Sequence, residues 1–193
     1  REDCECLMEE FLADFGTIDV LVNNAGGALQ IPAGEFEDMP LDYWDKQITL
    51  NLSSAAYCAQ AAVRNMKENN IPGRIVNISS VHGFISWVKR KFLPYCAAKG
   101  GLEMFTKALG VEVAPYGIRV NCIAPGPIWT NRYDEMDPAE AEQRRKLVPL
   151  QTISTPDNIG SIAYFLAGEE SQNMTGSVVV VDGGMDCLIA GGY

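Results

Sequence analysis

Tyr95 and Lys99 have the residue types and the spacing for proton-transfer chemistry. They are four residues apart in a segment with helical periodicity, so their side chains lie on one face, one turn apart. A free tyrosine titrates at about pH 10. A lysine ammonium one turn away favours the phenolate, and we therefore expect Lys99 to lower the pKa of Tyr95. Such a tyrosine can exchange a proton with an alcohol near neutral pH.

Other polar residues occur near this pair in the chain. Ser80 ends an apolar run ahead of the Tyr95 helix, where its hydroxyl could bond a substrate oxygen. Asn51, in the preceding helix, could hold a water that relays the proton to Lys99; the alternative is a polar core residue bonded to backbone. Asn23-Asn24-Ala25-Gly26 is a small-residue turn that lets backbone approach a ribose closely, or else a purely structural turn.

A third turn, residues 125–130, follows a later apolar run. It could offer backbone groups and a hydroxyl to a carboxamide, or it could be a rigid loop. The Tyr-x-x-x-Lys spacing is also weak evidence by itself, because chance matches are common. The argument for chemistry therefore rests on the joint occurrence of these features.

The elements that must position these residues alternate along the chain. Apolar periodicity predicts helices over residues 2–15, 41–68, 94–114 and about 137–147, and a further helix that begins at Thr155-Pro156. Continuously apolar strands are predicted at residues 18–22, 74–80, 118–123 and 177–182. Such strands are buried on both faces, which predicts a parallel sheet. We expect one α/β domain over residues 1–193, a Rossmann-like doubly wound fold.

Composition argues against several classes of function. The net charge of −10 would repel a phosphate backbone, which argues against nucleic acid as a partner. No run of about 18 apolar residues is present, so we expect no membrane span. Six scattered cysteines without a CxxC pair, together with one histidine, give little support for a metal site. Reduced core cysteines predict a cytoplasmic protein.

Taken in order, these motifs resemble the short-chain dehydrogenase/reductase (SDR) family over nearly the entire chain, and jointly they are highly specific. The matching motifs are Asn23-Asn24-Ala25-Gly26, Asn51, Ser80 with Tyr95 and Lys99, Arg119-Val120-Asn121, Pro125-Gly126 with Thr130, and Asp182-Gly183-Gly184.

The resemblance implies an enzyme that transfers hydride between NAD or NADP and a small-molecule alcohol or carbonyl. It implies that Tyr95 is the acid/base, that Lys99 lowers its pKa and binds ribose, that Ser80 orients the substrate and that Asn51 holds a water. The implied cofactor contacts are Asn23, Ala25, Gly26, Tyr95, Lys99, Pro125, Gly126, Ile128 and Thr130. A homotetramer or homodimer is also implied, built through the helices at 41–68 and 94–114 and the last strand.

The chain departs from the family pattern in two places. The family's opening Gly-rich turn, which seats a pyrophosphate on a helix N-terminus, has no counterpart before residue 16. We expect about sixty residues to be missing there, with the strand at 18–22 left as an exposed apolar edge, and the choice of NAD or NADP open. The gap between Ser80 and Tyr95 is also longer than usual, so Ser79 could replace Ser80.

The substrate and one other class of protein stay open at this point. The stretch Ser80-Val81-His82-Gly83 resembles sugar-oxidising members such as the glucose 1-dehydrogenases, and His82 and Trp87 could line a sugar pocket. A 3-oxoacyl-thioester reductase or a polyol dehydrogenase is the next interpretation of the substrate. The chain could instead be a non-catalytic binding or assembly protein on a truncated scaffold, although its intact Ser80, Tyr95 and Lys99 argue against this. A nucleotide-sugar epimerase or dehydratase shares the Tyr/Lys pair, but the turn at 125–126 disfavours it.

Overall fold

A computed structural model of the chain describes residues 1–30, 35–86 and 92–187. Four strands form one sheet in the order β1-β2-β3-β4, and every neighbouring pair is parallel. The strands are β1 Val20–Asn23, β2 Arg74–Ile78, β3 Arg119–Pro125 and β4 Val178–Val181. Helices connect successive strands, so the predicted α/β, Rossmann-like class is confirmed.

Helices cover both faces of this sheet. They are α1 Glu2–Phe15, α2 Leu41–Ile48, α3 Ser54–Glu68, α4 Leu93–Val113, α5 Asn131–Asp134, α6 Pro138–Lys146 and α7 Pro156–Ala167. Successive strand residues point to opposite faces. Ile75 therefore joins a core cluster with α1, α3 and α4, whereas Val76 packs with Leu166 of α7 on the other side. This two-sided burial explains why the strands are apolar without alternation.

The predicted single helix over 41–68 is wrong in one respect, because a π turn at Thr49–Ser53 separates α2 from α3. A π turn adds one residue to a helical turn and is frequent at functional sites. The sequence pattern placed Trp44, Ile48 and Leu52 inward, and all three are half-buried. The fully buried side chains are instead Tyr43, Gln47 and Asn51. The π turn thus coincides with an inward-facing Asn51, which is 1% exposed.

The remaining elements agree with the expected boundaries to within a few residues. The predicted start of α7 is confirmed, since Thr155 and Asn158 form a capping box there. Within the described residues β1 pairs only with β2, and its Val20 and Val22 are exposed, as expected for an apolar edge. No helix in the described ranges combines the length and apolarity that crossing a bilayer requires.

Replacing Leu166 by alanine tests the packing of α7 on the sheet. Leu166 is 0% exposed, so Leu166→Ala should lower the free energy of unfolding by about 2–5 kcal/mol through lost burial and a residual cavity. Urea denaturation measures this loss. Leu41→Ala is the matched control, because Leu41 is 77% exposed and should change stability by less than about 0.5 kcal/mol. Equal losses in the two variants would contradict the packing described above.

Candidate active site

Three turns meet at the carboxyl edge of the sheet. Residues 23–27 follow β1 and form the β1 turn, residues 79–83 follow β2 and form the serine turn, and residues 125–130 end β3 and form the β3 turn. Parallel strands place all their carboxyl ends at one edge, where doubly wound folds bind ligands. Helix α4 runs beside this edge and brings Tyr95 and Lys99 to it.

Ser80 and Tyr95 lie near each other at this edge. Ser80 is 8% exposed, its hydroxyl accepts the N–H of His82 at 3.2 Å, and its interaction with the Tyr95 phenol acts to lower the pKa of that phenol. The Ser79 hydroxyl points the other way and donates to Glu103 Oε1 at 3.0 Å and to the carbonyl of Lys99 at 3.1 Å. Ser80 is therefore the serine that faces Tyr95, and the suggested replacement by Ser79 is wrong.

The pKa of Tyr95 is shifted in the direction opposite to the one expected from its spacing to Lys99. Burial raises the pKa of the Tyr95 phenol, and the hydrogen bond from Ser80 opposes that rise only in part. Lys99 Nζ lies 5.7 Å from the centre of the Tyr95 ring and donates instead to the carbonyl of Ile78 at 2.8 Å. The expected net lowering of the Tyr95 pKa is thus wrong for this arrangement, because burial has the largest effect, and Tyr95 is a neutral phenol at neutral pH.

Lys99 is buried and weakly basic. It is 3% exposed, and burial lowers the pKa of its ammonium to about 8, against smaller opposing effects of Cys122 and Glu103. Desolvation penalises the charged form of a lysine, which is the physical cause of this shift. At pH 7 the side chain still carries its proton. The site therefore holds one neutral phenol and one ammonium, which loses its proton just above neutral pH.

Asn51 clamps the β1 turn to the π turn. Its Oδ1 accepts the N–H of Gly27 at 2.8 Å, while its Nδ2 donates to the Gly27 carbonyl at 3.1 Å. Nδ2 also donates to Oε1 of Gln47 at 2.8 Å, and this buried glutamine thereby helps to fix the orientation of the Asn51 amide. The carboxamide is thus engaged in holding the turn, and the water-holding role of Asn51 stays a prediction.

The backbone of the β1 turn lies against Asn51 and Lys99. A Cβ at Gly26 would lie 2.9 Å from Asn51 Oδ1 and 3.1 Å from Lys99 Nζ, so glycine allows this close approach. Asn23 directs its amide inward, where Nδ2 donates to Asn77 Oδ1 at 2.8 Å. The ribose contacts expected of Asn23, Ala25 and Gly26 stay predictions, with the side chain of Asn23 engaged by the sheet.

The β3 turn is held by its neighbours in the sheet. The N–H of Gly126 donates to the carbonyl of Val181 at 3.0 Å, and a Cβ at Gly126 would lie 2.6 Å from the Cβ of Asp182. Ile128 forms a parallel bridge with Ser154. Pro125 is buried at the end of β3, and Thr130 is exposed where α5 begins. The predicted carboxamide contacts of this turn are not tested by these hydrogen bonds and stay predictions.

Sequence reasoning missed the buried polar residues that support the site. Asn77 donates to Thr106 at 2.9 Å and so links β2 to α4, and both residues are 0% exposed. Gln47 and Glu103 are buried as well. For Gln47 and Glu103, the only signal in the sequence was a polar residue at an inward helix position. Trp87, which was expected to line a sugar pocket, lies outside the described residues. Within the described ranges, no group of three or more His, Cys, Asp or Glu is placed to hold a metal.

Comparison with known proteins extends the likeness over nearly the whole chain. Residues 1–186 match the family described as enoyl-(acyl carrier protein) reductase. The chain is 37% identical to glucose 1-dehydrogenase 2 of Bacillus subtilis, over 96% of this chain and 70% of that protein. It is 35% identical to the L-rhamnose 1-dehydrogenase (NAD(P)(+)) of Azotobacter vinelandii, over 94% and 70%. The solved structure of acetoin dehydrogenase from Enterobacter cloacae superposes with a TM-score of 0.88 at 33% identity, over 100% of this chain and 73% of that one.

Adding a methyl group at Gly26 tests how tightly the β1 turn packs. Gly26→Ala should lower the free energy of unfolding by about 1–3 kcal/mol, because Asn51 and Lys99 must move to admit the new Cβ. Thermal or urea unfolding measures the loss. Gly160→Ala is the control, since no heavy atom lies within 4 Å of its added Cβ and alanine suits the α7 interior. A Gly26→Ala protein as stable as the control would show that the turn is not packed in this way.

Proposed function

This chain belongs to the short-chain dehydrogenase/reductase family, and from that premise we propose that it transfers hydride between NAD or NADP and a secondary alcohol or carbonyl of a small molecule. We favour a sugar or polyol as the substrate. The observation that carries this proposal is that Ser80, Tyr95 and the buried ammonium of Lys99 come together at the carboxyl edge of the sheet. When a carbonyl carbon accepts hydride, its oxygen needs a proton donor, and a nearby cation stabilises the negative charge that develops.

The residues at the carboxyl edge fit a nicotinamide cofactor. The backbone of Gly26 and the ammonium of Lys99 both lie at this edge, where they provide polar contacts for the cofactor. In this proposal Lys99 and Tyr95 bind the nicotinamide ribose, residues 23, 25 and 26 contact the adenosine-side ribose, and residues 125, 126, 128 and 130 hold the carboxamide. A cofactor bound there supplies or accepts the hydride.

The proton path uses the chain's own side chains. Ser80 and Tyr95 both bond the substrate oxygen, and Tyr95 donates its phenolic proton to that oxygen as negative charge develops on it. The resulting phenolate is stabilised by the Lys99 ammonium and by the Ser80 hydroxyl. Oxidation of an alcohol runs the same transfer in reverse, with the phenolate as base.

Two observations support a polyhydroxylated substrate. The ring of His82 lies edge-on to Tyr95, with centroids 6.1 Å apart, and beside Phe92 at 5.2 Å. An imidazole next to an aromatic wall combines hydrogen bonding with ring contact, as polar ligand pockets require. The similar glucose 1-dehydrogenase 2 and L-rhamnose 1-dehydrogenase are by name sugar dehydrogenases. The similar acetoin dehydrogenase points to a smaller secondary alcohol, and the assay below includes both.

We also propose that the protein works in the cytoplasm as a homodimer or homotetramer. Met104 and Val111 leave large apolar side chains exposed on α4, as does Tyr164 on α7. Exposed apolar patches of this kind are typical of subunit interfaces. All six cysteines are free thiols, which suits a reducing compartment.

Replacing Tyr95 by phenylalanine tests the proton donor. Tyr95→Phe should lower kcat by about 10²–10⁴-fold, because the phenolic proton is removed while the ring remains. The assay follows NAD(P)H absorbance with glucose, rhamnose, a polyol and acetoin as substrates. We expect the highest kcat/KM for a sugar or polyol in the unmodified protein.

Tyr164→Phe is the matched control, since Tyr164 is 81% exposed and should leave turnover unchanged. NADH binding, followed by energy transfer from Trp44 and Trp129, should be unchanged in Tyr164→Phe and retained but weaker in Tyr95→Phe, which also loses a proposed ribose contact. Undiminished turnover by Tyr95→Phe would overturn the proposed function. A preference for acetoin over every sugar would overturn only the substrate class.

The pH dependence of carbonyl reduction should report on Lys99. Its ammonium is present below its pKa of about 8 and is lost above it, so kcat/KM should fall through an alkaline limb centred at about pH 8. Tyr95, with its pKa raised by burial, stays protonated throughout that range. Lys67→Gln removes an exposed lysine from the last turn of α3 and should retain the limb. A rate that stays level well above pH 8 would contradict this assignment.

A further inference from the structure

Glu103 is a buried carboxyl that the proposed proton path does not use. It lies one turn after Lys99 on α4 and is 9% exposed. Burying a carboxyl costs free energy unless hydrogen bonds and charges compensate. The sheet and its apolar clusters have no need of an acid at this position. The contacts of Glu103 therefore indicate what its burial achieves.

The carboxyl belongs to a set of polar contacts that join the end of β2 to α4. The Ser79 hydroxyl lies 3.0 Å from Glu103 Oε1 and 3.1 Å from the carbonyl of Lys99, so one proton is shared between two acceptors on α4. A second hydrogen bond joins the helix to the strand, since Lys99 Nζ donates to the carbonyl of Ile78 at 2.8 Å. Two consecutive residues directly ahead of Ser80 are thus bonded to the helix, Ile78 through its carbonyl and Ser79 through its hydroxyl.

The serine turn also packs directly onto the carboxyl. A Cβ at Gly83 would lie 2.1 Å from Glu103 Oε1, and a Cβ at Gly100 would lie 2.9 Å from the Gly83 carbonyl. Only glycine at both places allows the turn to approach α4 so closely. Ser79 and Gly83 are the two ends of the turn that carries Ser80, and Glu103 contacts both.

We propose that Glu103 is a positioning residue for the active site, whose carboxyl fastens the serine turn to the helix that carries Tyr95 and Lys99. This inference rests on the proposed function and adds a residue to it. Held at both ends, the turn keeps Ser80 beside Tyr95. Small misplacements of such groups are costly in rate, because proton transfer demands near-contact geometry.

The charge of Glu103 has a second effect, which provides an independent readout. Cys122 on β3 and Glu103 on α4 both raise the pKa of Lys99 against the larger effect of burial. Burial raises the pKa of the Cys122 thiol to about 12, so that group is uncharged near neutrality. Burial also raises the pKa of Glu103, opposed by the Ser79 hydrogen bond and by Lys107 and Lys99. An ionised Glu103 is therefore the negative charge that favours the Lys99 ammonium.

Two substitutions separate position from charge. Glu103→Gln keeps the size and an oxygen that accepts from Ser79, so kcat at pH 7 should stay within about twofold of the unmodified protein. The alkaline limb of kcat/KM should move to lower pH, because Lys99 loses its negative neighbour. Glu103→Leu removes the acceptor as well and should lower kcat by about tenfold. Glu112→Gln, an exposed position on α4, is the control and should change neither quantity.

A double-mutant cycle with Ser79 checks that the effect passes through the serine turn. Ser79→Ala should lower kcat, and the Ser79→Ala/Glu103→Leu protein should be no slower than the slower single variant, since both changes break one contact. Additive losses, or a kcat for Glu103→Leu within twofold of the unmodified protein, would overturn the positioning role. If Glu103→Leu does not fold, Ser79→Ala decides, because it breaks the same contact from the other side, and a kcat within twofold of the unmodified protein overturns the inference. Tyr95→Phe is assayed beside these variants: if it remains active the proposed function fails, whereas its loss alongside a fully active Glu103→Leu rejects the role of Glu103 alone.

Discussion

The active edge depends on one buried hydrogen bond, from the ammonium of Lys99 to the carbonyl at the end of β2. A lysine that is 3% exposed must compensate for its lost hydration, and the Ile78 carbonyl at 2.8 Å provides the contact. The bond ties the last residue of a central strand to the middle of α4. The position of Ser80 relative to Tyr95 follows from it, because Ser80 lies two residues beyond Ile78 and Tyr95 lies one turn before Lys99.

Buried polar side chains extend this connection to the other turns. Asn51 holds the β1 turn through Gly27, and Asn77 links Asn23 on one side to Thr106 on the other. Fully satisfied polar networks of this kind rigidify a core, because every alternative arrangement would leave a buried group without a partner. The apolar clusters on the two faces of the sheet supply stability. The polar contacts select one arrangement of the turns among those that the same clusters would tolerate.

Burial also sets the protonation states at this edge. It raises the pKa of Tyr95 and lowers that of Lys99 to about 8, so the same low-polarity surroundings favour the neutral form of both groups. The ammonium persists at neutral pH because its shift is incomplete and because Glu103 opposes it. A neutral phenol beside an ammonium whose pKa is only slightly above neutrality is a suitable resting state for giving a proton to a carbonyl oxygen. In the proposed mechanism, oxidation of an alcohol requires the phenolate of Tyr95, which the Lys99 charge and the Ser80 hydroxyl stabilise.

The amino-acid sequence alone determined most of the helices and strands, the parallel sheet and the placing of Tyr95 and Lys99 on one face of a helix. Those features follow from local periodicity and from the order of the strands, which place residues 23–27, 79–83 and 125–130 at one edge. Only the tertiary structure decided the π turn that accompanies an inward Asn51, the choice of Ser80 over Ser79, the burial of Gln47 and Glu103, and the direction of the Tyr95 pKa shift. Each of these depends on groups distant in sequence, such as Glu103 against Ser79 and Asn51 against Gly27. Sequence spacing shows that Lys99 is near Tyr95, but desolvation depends on everything that surrounds them, and that is known only once the chain has packed.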